Sequence, residues 1–238
     1  MKFTVYIGYD TTNLGQHMAR TVCERSIRKY NADIEIKTLE LKDLINSGVY
    51  TRPHDDRQST EFTYTRFLVP YLNDYNGFAI FCDSDFLWQR NIYSLIAYVD
   101  SEFSISCVHH EYTHCPKERK MDGFKQEWYP RKNWSSLMVF NCAHDHCKRL
   151  TPEVVSTESP KYLHRMEWTD DVCINQIPHS YNYLTGYYNT HKRPAAYHFT
   201  DGGPWHKDTA DCEFGDKWLA YLTDEERTQW EQGEFWER

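Results

Sequence analysis

The feature of the sequence best suited to chemistry is a pair of carboxylates, Asp83 and Asp85, directly after the apolar run Phe78–Cys82. A run of this length that is apolar on both faces predicts a strand at the centre of a sheet. Because alternate residues of an extended chain point the same way, both carboxylates can face one cation. Such a cation keeps open positions for diphosphate oxygens, whose charge it neutralises. The alternative is a solvated turn.

The elements that must position this pair alternate along the chain. Strands are predicted at 3–7, 33–39, 78–82, 103–108, 137–141 and 196–199. Helices are predicted at 16–30, 41–47, 61–71 and 170–176, with a capped C-terminal helix from Thr223 that packs onto the domain. This alternation predicts an α/β fold in a single domain, residues 1–238. In such folds ligands collect beyond the carboxyl ends of the strands, where the two carboxylates fall.

Composition excludes several classes of partner. The formal charge is −8, from 27 basic and 35 acidic side chains, without a basic block that would bind nucleic acid. The apolar runs end after about six residues, and a membrane span needs roughly 20. Eight cysteines without a C-x-x-C pair favour reduced thiols and a cytoplasmic protein. The 16% aromatic content suits stacking on sugars, or simply a core.

Four segments resemble, in order, the GT-A glycosyltransferases, especially the family-eight group that includes glycogenin and bacterial lipooligosaccharide galactosyltransferases. Besides the D-x-D at Asp83 and Asp85, the matching segments are Val5–Asp10, Thr63–Pro70, Asn133–Asn141 and His198–Trp205. Two departures stand out. Ser135 or Ser136 replaces a family glycine, and Gly203 stands where a lysine normally precedes Pro-Trp.

The resemblance implies a GT-A fold with a mixed, mostly parallel central sheet flanked by helices. It implies an enzyme that moves a sugar from a nucleotide diphosphate donor, expected to be a UDP-sugar, to a glycan or other hydroxyl acceptor. Tyr9 and Asp10 would bind the nucleoside, and Arg66 the diphosphate. Further donor contacts are predicted for Asp83, Ser84, Gly202, Gly203 and Trp205.

The same resemblance makes His198 the third protein ligand of the metal, beside Asp83 and Asp85. An imidazole nitrogen with two carboxylates suits Mn²⁺ better than Mg²⁺, which is the alternative. A second cluster of zinc-type residues, His109, His110, His114 and Cys115, matches no closed zinc spacing, and we predict no metal there.

The segment Glu167–Gln176 resembles the family-eight D-Q-D-x-x-N motif when aligned on Asp170 and Asn175. Asp171 then takes the place of the glutamine. A carboxylate there is able to deprotonate an acceptor hydroxyl, which favours inversion with Asp171 as the base beside Asp170. The alternative is that these acidic residues stabilise the start of a helix.

Two other functions fit parts of the sequence. A catalytically silent carbohydrate-binding protein on the same fold accords with the aromatic content and the missing lysine. A sugar nucleotidyltransferase shares the architecture and metal dependence but usually opens with a glycine-rich basic loop, and residues 8–20 contain only Gly8 and Gly15. Asn182 resembles a family asparagine and receives no chemical role.

Overall fold

A computed structural model describes residues 3–55, 58–111, 130–188 and 193–236. Its strands are β1 (Phe3–Gly8), β2 (Glu35–Leu39), β3 (Phe78–Cys82), β4 (Phe86–Trp88), β5 (Ile105–Val108), β6 (Leu137–Asn141), β7 (Ile174–Ile177), β8 (Tyr183–Leu184) and β9 (Ala196–His198). Its α-helices are α1 (Leu14–Arg28), α2 (Leu41–Asn46), α3 (Val69–Leu72), α4 (Pro152–Thr157), α5 (Pro160–His164), α6 (Gly215–Leu219) and α7 (Asp224–Gln232).

The central sheet has six strands in the order β2-β1-β3-β6-β5-β7, and β6 alone runs against the others. The sheet is therefore mixed and mostly parallel, as predicted. A smaller sheet, β4-β9-β8, was not predicted, because strands of two or three residues leave no periodicity in the sequence. Strands β3, β5 and β7 point the same way, so their carboxyl ends share one edge of the sheet.

Both faces of the central sheet are covered, as the apolar run of β3 predicts. Ala79 and Phe81 join one buried cluster, while Ile80 and Cys82 join the other. This division follows from the two-residue period of a strand. The predicted alternation of β2 is present at Glu35 and Lys37, which are exposed on one face of this edge strand, and it ends at Leu39, which is buried.

Helix α1 begins where its sequence provides a cap: the Asn13 side chain accepts a hydrogen bond from the backbone N–H of Gln16. The predicted C-terminal helix is α7, whose capping box joins Thr223 and Glu226. It packs onto the domain as predicted, since the indole N–H groups of Trp230 and Trp236 both donate to the carbonyl of Pro204, at 2.7 and 3.3 Å.

Two predicted helices are wrong in form. The segment 61–71 is not one α-helix but a 3₁₀ turn at Thr65–Leu68 that continues into α3. Its β-branched and aromatic residues are poor helix formers, so tertiary contacts decide its shape. The segment 170–176 begins as a 3₁₀ turn at Asp171–Cys173 and becomes strand β7, because Ile174–Ile177 pair with β5.

No helix within the described ranges is both long and apolar enough to traverse a bilayer. The seven cysteines of the described ranges carry free thiols. The cytoplasmic location expected from the cysteine pattern stays a prediction.

Candidate metal and nucleotide site

An open pocket lies beyond the carboxyl end of β3. It brings together seven of the residues predicted to form the site: Arg66, Asp83, Ser84, Asp85, His198, Gly202 and Trp205. They come from three separate parts of the chain, which the fold joins at one edge of the sheet. The other walls come from the start of α1, from 59–62, from Asn133 and from the loop after β9.

The predicted metal ligands meet in this pocket. The ligand atoms of Asp83, Asp85 and His198 all lie within 4.8 Å of one another, and His198 Nε2 is 3.3 Å from Asp85 Oδ2. Strand pairing brings them together, because β4 follows Asp85 at once and pairs Phe86 with His198. The two rings stack with centroids 4.5 Å apart, which keeps the imidazole buried and fixed.

Hydrogen bonds around His198 fix which ring nitrogen carries the proton. The Ser136 hydroxyl donates to the Asn133 carbonyl at 2.7 Å, so its oxygen accepts from the Asn182 Nδ2 group at 2.8 Å. Asn182 therefore turns its Oδ1 toward His198 Nδ1, 2.7 Å away, and accepts the Nδ1 proton. Nε2 therefore faces Asp85, and an acceptor on the far nitrogen Nδ1 is the arrangement that a metal-binding histidine needs.

Arg66 holds the first carboxylate of the D-x-D, Asp83, by an ion pair. Its Nη1 donates to Asp83 Oδ1 at 2.7 Å and to the Ser135 carbonyl at 3.0 Å, and its Nε donates to the Phe62 carbonyl at 3.2 Å. Both partners of this ion pair are largely buried. The guanidinium thereby holds Asp83 in place and offsets its charge. The predicted contact of Arg66 with a diphosphate stays a prediction.

Tyr9 and Asp10 lie next to the pocket but not in its lining. The Tyr9 hydroxyl bonds to His17 Nδ1 at 3.0 Å. The Asp10 carboxylate accepts from the backbone N–H of Thr12 at 3.1 Å and of Glu61 at 3.4 Å, and burial raises the pKa of Asp10. Asp10 thus ties the loop after β1 to the segment 59–62, which forms one wall of the pocket.

Two glycines shape the loop after β9. Gly202 has φ +106°, a conformation that other residues rarely adopt, and it lines the pocket. Gly203 lies outside the lining, and a Cβ on it would come within 2.2 Å of the Trp205 ring. Gly203 therefore lets the buried Trp205 close the pocket wall, and its predicted contact with the donor stays a prediction.

The predicted catalytic residues, Asp170 and Asp171, lie elsewhere. They directly precede β7 and therefore lie at the edge of the sheet where β5 and β7 begin. Asp83 lies at the opposite edge. Asp171 is 80% exposed, and its Oδ1 accepts from Arg131 Nη2 at 2.5 Å. Neither carboxylate lines the pocket described above. The role of general base stays a prediction.

The second group of zinc-type residues, for which we predicted no metal, is described only in part, because His114 and Cys115 lie outside the described residues. His109 stacks on Trp134 with centroids 3.9 Å apart, and His110 Nδ1 bonds to the Tyr188 hydroxyl at 2.6 Å. Both contacts are ordinary packing and hydrogen bonding beside the pocket.

Sequence reasoning missed the polar groups that orient His198. Asn182 is fully buried, and its partners His198 and Ser136 lie 16 and 46 residues away in the chain. Spacing in the sequence carries no signal for such a contact. The one signal was the resemblance of Asn182 to a family asparagine. Gln16 and His206 were missed for the same reason. Gln16 Nε2, at the start of α1, lies 3.4 Å from His206 Nε2, in the loop after β9.

Comparison with solved structures defines the class of fold. The chain is similar to the bifunctional glycosyltransferase WbbM (TM-score 0.63, 15% identity, 97% of this chain and 51% of that one). It is also similar to the glycosyltransferase GlyE from Streptococcus pneumoniae TIGR4 (0.60, 12%, 100% and 66%) and to the galactosyltransferase LgtC in complex with donor and acceptor sugar analogs (0.57, 13%, 95% and 100%). The chain has the GT-A glycosyltransferase fold, and it spans about half the length of the WbbM chain.

Sequence comparison gives the family. The chain belongs to the family of Protein CDI from Arabidopsis thaliana, to which it is 42% identical over 224 residues, covering 91% of this chain and 85% of CDI. No family model matches the sequence. Membership of glycosyltransferase family eight stays a prediction.

Proposed function

We propose that this protein is a metal-dependent glycosyltransferase that transfers a sugar from a nucleotide diphosphate, expected to be a UDP-sugar, to a hydroxyl of a glycan or another acceptor. The observation that carries the proposal is the ligand group of the pocket: Asp83, Asp85 and His198 converge there, with His198 Nε2 directed at Asp85. The GT-A fold of the chain supports the same conclusion.

The ligand group fits Mn²⁺ by its chemistry. Two carboxylates and one neutral imidazole combine hard oxygen ligands with a nitrogen that Mg²⁺ rarely accepts. When bound, the ion would neutralise the charge of the diphosphate and assist departure of the nucleoside diphosphate. Three protein ligands leave positions for phosphate oxygens, whereas a structural site would be closed by a fourth side chain.

The other residues of the pocket would hold and shield the donor. Arg66 keeps the Asp83 carboxylate in one orientation, and Phe62 and Trp205 supply apolar walls that exclude water. Ser84 and Gly202 present polar and backbone groups to the same space. This arrangement accords with LgtC, a structure of the same fold in complex with donor and acceptor sugar analogs.

The first experiment measures release of nucleoside diphosphate from a panel of nucleotide sugars, with Mn²⁺ or with EDTA. Slow hydrolysis is enough, so no acceptor is needed. We expect manganese-dependent turnover of one donor by the wild-type protein and its loss in Asp85→Ala. The matched control is Asp43→Ala, which removes an exposed carboxylate of α2 that does not line the pocket.

This assay, donor binding and a pyrophosphate assay together separate the alternatives. Neither turnover nor binding of any donor, with any metal, would reject the transferase and favour a silent carbohydrate-binding protein. Release of pyrophosphate from a nucleoside triphosphate and a sugar phosphate would instead identify a nucleotidyltransferase.

A further inference from the structure

A second group of metal-ligand side chains lies at the opposite edge of the central sheet. It consists of His144 and His146, in the turn after β6, and Cys173, just before β7. One ligand atom from each residue lies within 4.8 Å of those of the other two. Because β6 ends and β7 begins at the edge away from Asp83, this group is separate from the donor pocket.

Hydrogen bonds around His146 fix its proton as firmly as those around His198. The Ser104 hydroxyl donates to the Cys173 carbonyl at 3.0 Å, so the Thr169 hydroxyl must donate to Ser104 across their 2.7 Å contact. The Thr169 oxygen is then left to accept the Nδ1 proton of His146 at 2.9 Å. Ser104 and Thr169 are both buried, so water does not disturb this relay.

The relay directs His146 Nε2 toward a carboxylate. Asp170 Oδ2 lies 3.7 Å from Nε2. The Cys173 sulfur and the His144 ring border the same space, and both are ligands that soft or borderline metal ions prefer.

The site around His146 and the donor pocket around His198 share one arrangement of hydrogen bonds but differ in their ligand atoms. In each, a buried polar residue accepts the Nδ1 proton of a histidine whose Nε2 faces an aspartate: Asn182 serves His198, and Thr169 serves His146. Such an acceptor on the far nitrogen is the usual support of a metal-bound histidine. The donor pocket adds a second carboxylate, whereas this site adds a thiol and a second imidazole.

We propose that His144, His146 and Cys173 bind one Zn²⁺ ion, and that the exposed carboxylate of Asp170, which lies outside this group of three, rotates to complete the coordination. Thiolate, imidazole and carboxylate are the ligands of four-coordinate zinc, and Mn²⁺ is disfavoured by the sulfur. His144 Nδ1 accepts from the His146 backbone N–H at 3.1 Å, and zinc would replace that hydrogen bond. The ion would join the turn after β6 to the start of β7 and stabilise this edge of the sheet.

Titration of the metal-free full-length protein with Co²⁺, a spectroscopic substitute for Zn²⁺, tests the proposal. A thiolate ligand gives an intense near-ultraviolet charge-transfer band, which the oxygen and nitrogen ligands of the donor pocket do not give. We expect this band at one Co²⁺ per chain and its displacement by one equivalent of Zn²⁺. Absence of the band in the wild-type protein overturns the proposal.

Matched variants assign the band to its ligands. Cys173→Ser should abolish it, while Cys212→Ser, which alters the other partly exposed free thiol of the described residues, should keep it. Thr169→Val, which removes the hydroxyl that orients His146, should weaken Co²⁺ binding about 10–100-fold. Far-ultraviolet circular dichroism checks that each variant is folded. A band that survives Cys173→Ser in folded protein refutes the assignment, as does unchanged affinity in Thr169→Val.

Discussion

Replacing Asn182 with leucine removes the group that holds the His198 proton on Nδ1, without touching any proposed metal ligand. The change breaks two buried hydrogen bonds, to His198 and to Ser136. Each bond contributes roughly 1 kcal/mol, and stranded buried partners cost about 1–3 kcal/mol more, so we expect the free energy of unfolding to fall by roughly 3–5 kcal/mol. Loss of the acceptor on the far nitrogen should weaken metal binding about 10–100-fold, or roughly 1.4–2.8 kcal/mol.

The assay is binding of Mn²⁺, followed by electron paramagnetic resonance of the free ion, together with the Mn²⁺ concentration that half-saturates nucleoside diphosphate release. The control is Asn141→Leu. Asn141 is also buried and makes two hydrogen bonds, to the carbonyls of Ser101 and Phe103, but it lies at the other end of β6. It should lose similar stability and keep normal metal affinity.

A conservative variant sharpens the result. Asn182→Asp keeps an oxygen that accepts the Nδ1 proton, so its metal affinity should stay within a few-fold of the wild type. If Asn182→Leu binds Mn²⁺ as tightly as Asn141→Leu does, the reasoning about the His198 proton is refuted.

Three further predictions concern single residues. Gly203→Ala should lower the free energy of unfolding by about 1–3 kcal/mol in urea denaturation, since its Cβ would lie within 2.2 Å of the Trp205 ring, and unchanged stability would contradict this. Asp171→Asn should keep more than a tenth of the transfer rate, because Asp171 is exposed and paired with Arg131; a loss of about 10²–10⁴-fold would instead establish it as the base. Burial, reinforced by two nearby arginines, lowers the pKa of His164 to about 3, so the unfolded chain takes up the proton first as the pH falls below about 6.5. The free energy of unfolding should therefore decrease on acidification from pH 7 to pH 5, by up to about 1.4 kcal/mol per pH unit from this residue. The variant His164→Gln should show a smaller decrease with pH. An equal decrease in the variant would exclude His164 as the cause.

The parts of the fold that follow local rules were predictable from sequence. Strand β3 and the D-x-D after it depend on a short apolar run and the two-residue period of a strand. Helix α7 depends on its capping box. The prediction of a helix at 170–176 failed because pairing with β5 prevails over local preference at Ile174–Ile177.

The site was predictable only as far as single residues carry recognisable chemistry. Asp83, Asp85 and His198 were found by type and resemblance, and the structure brings them together. The orienting group Asn182 was not found, because its importance lies in a hydrogen bond to His198 that only the folded chain creates. The second group, His146 and its neighbours, was missed for the same reason: its ligands come from two turns that meet only when β6 and β7 flank β5.

The pairing of β4 with β9 also sets when the donor site arises during biosynthesis. Asp85 and His198 are 113 residues apart in the chain (198 − 85), although their side chains nearly touch. At roughly 5–20 residues per second, a ribosome needs on the order of ten seconds to synthesise the intervening chain. The D-x-D thus emerges long before its histidine, and contacts this distant in sequence form late. A metal ion bound at this site would therefore be no template for early folding, because its ligands come together only after His198 has been synthesised.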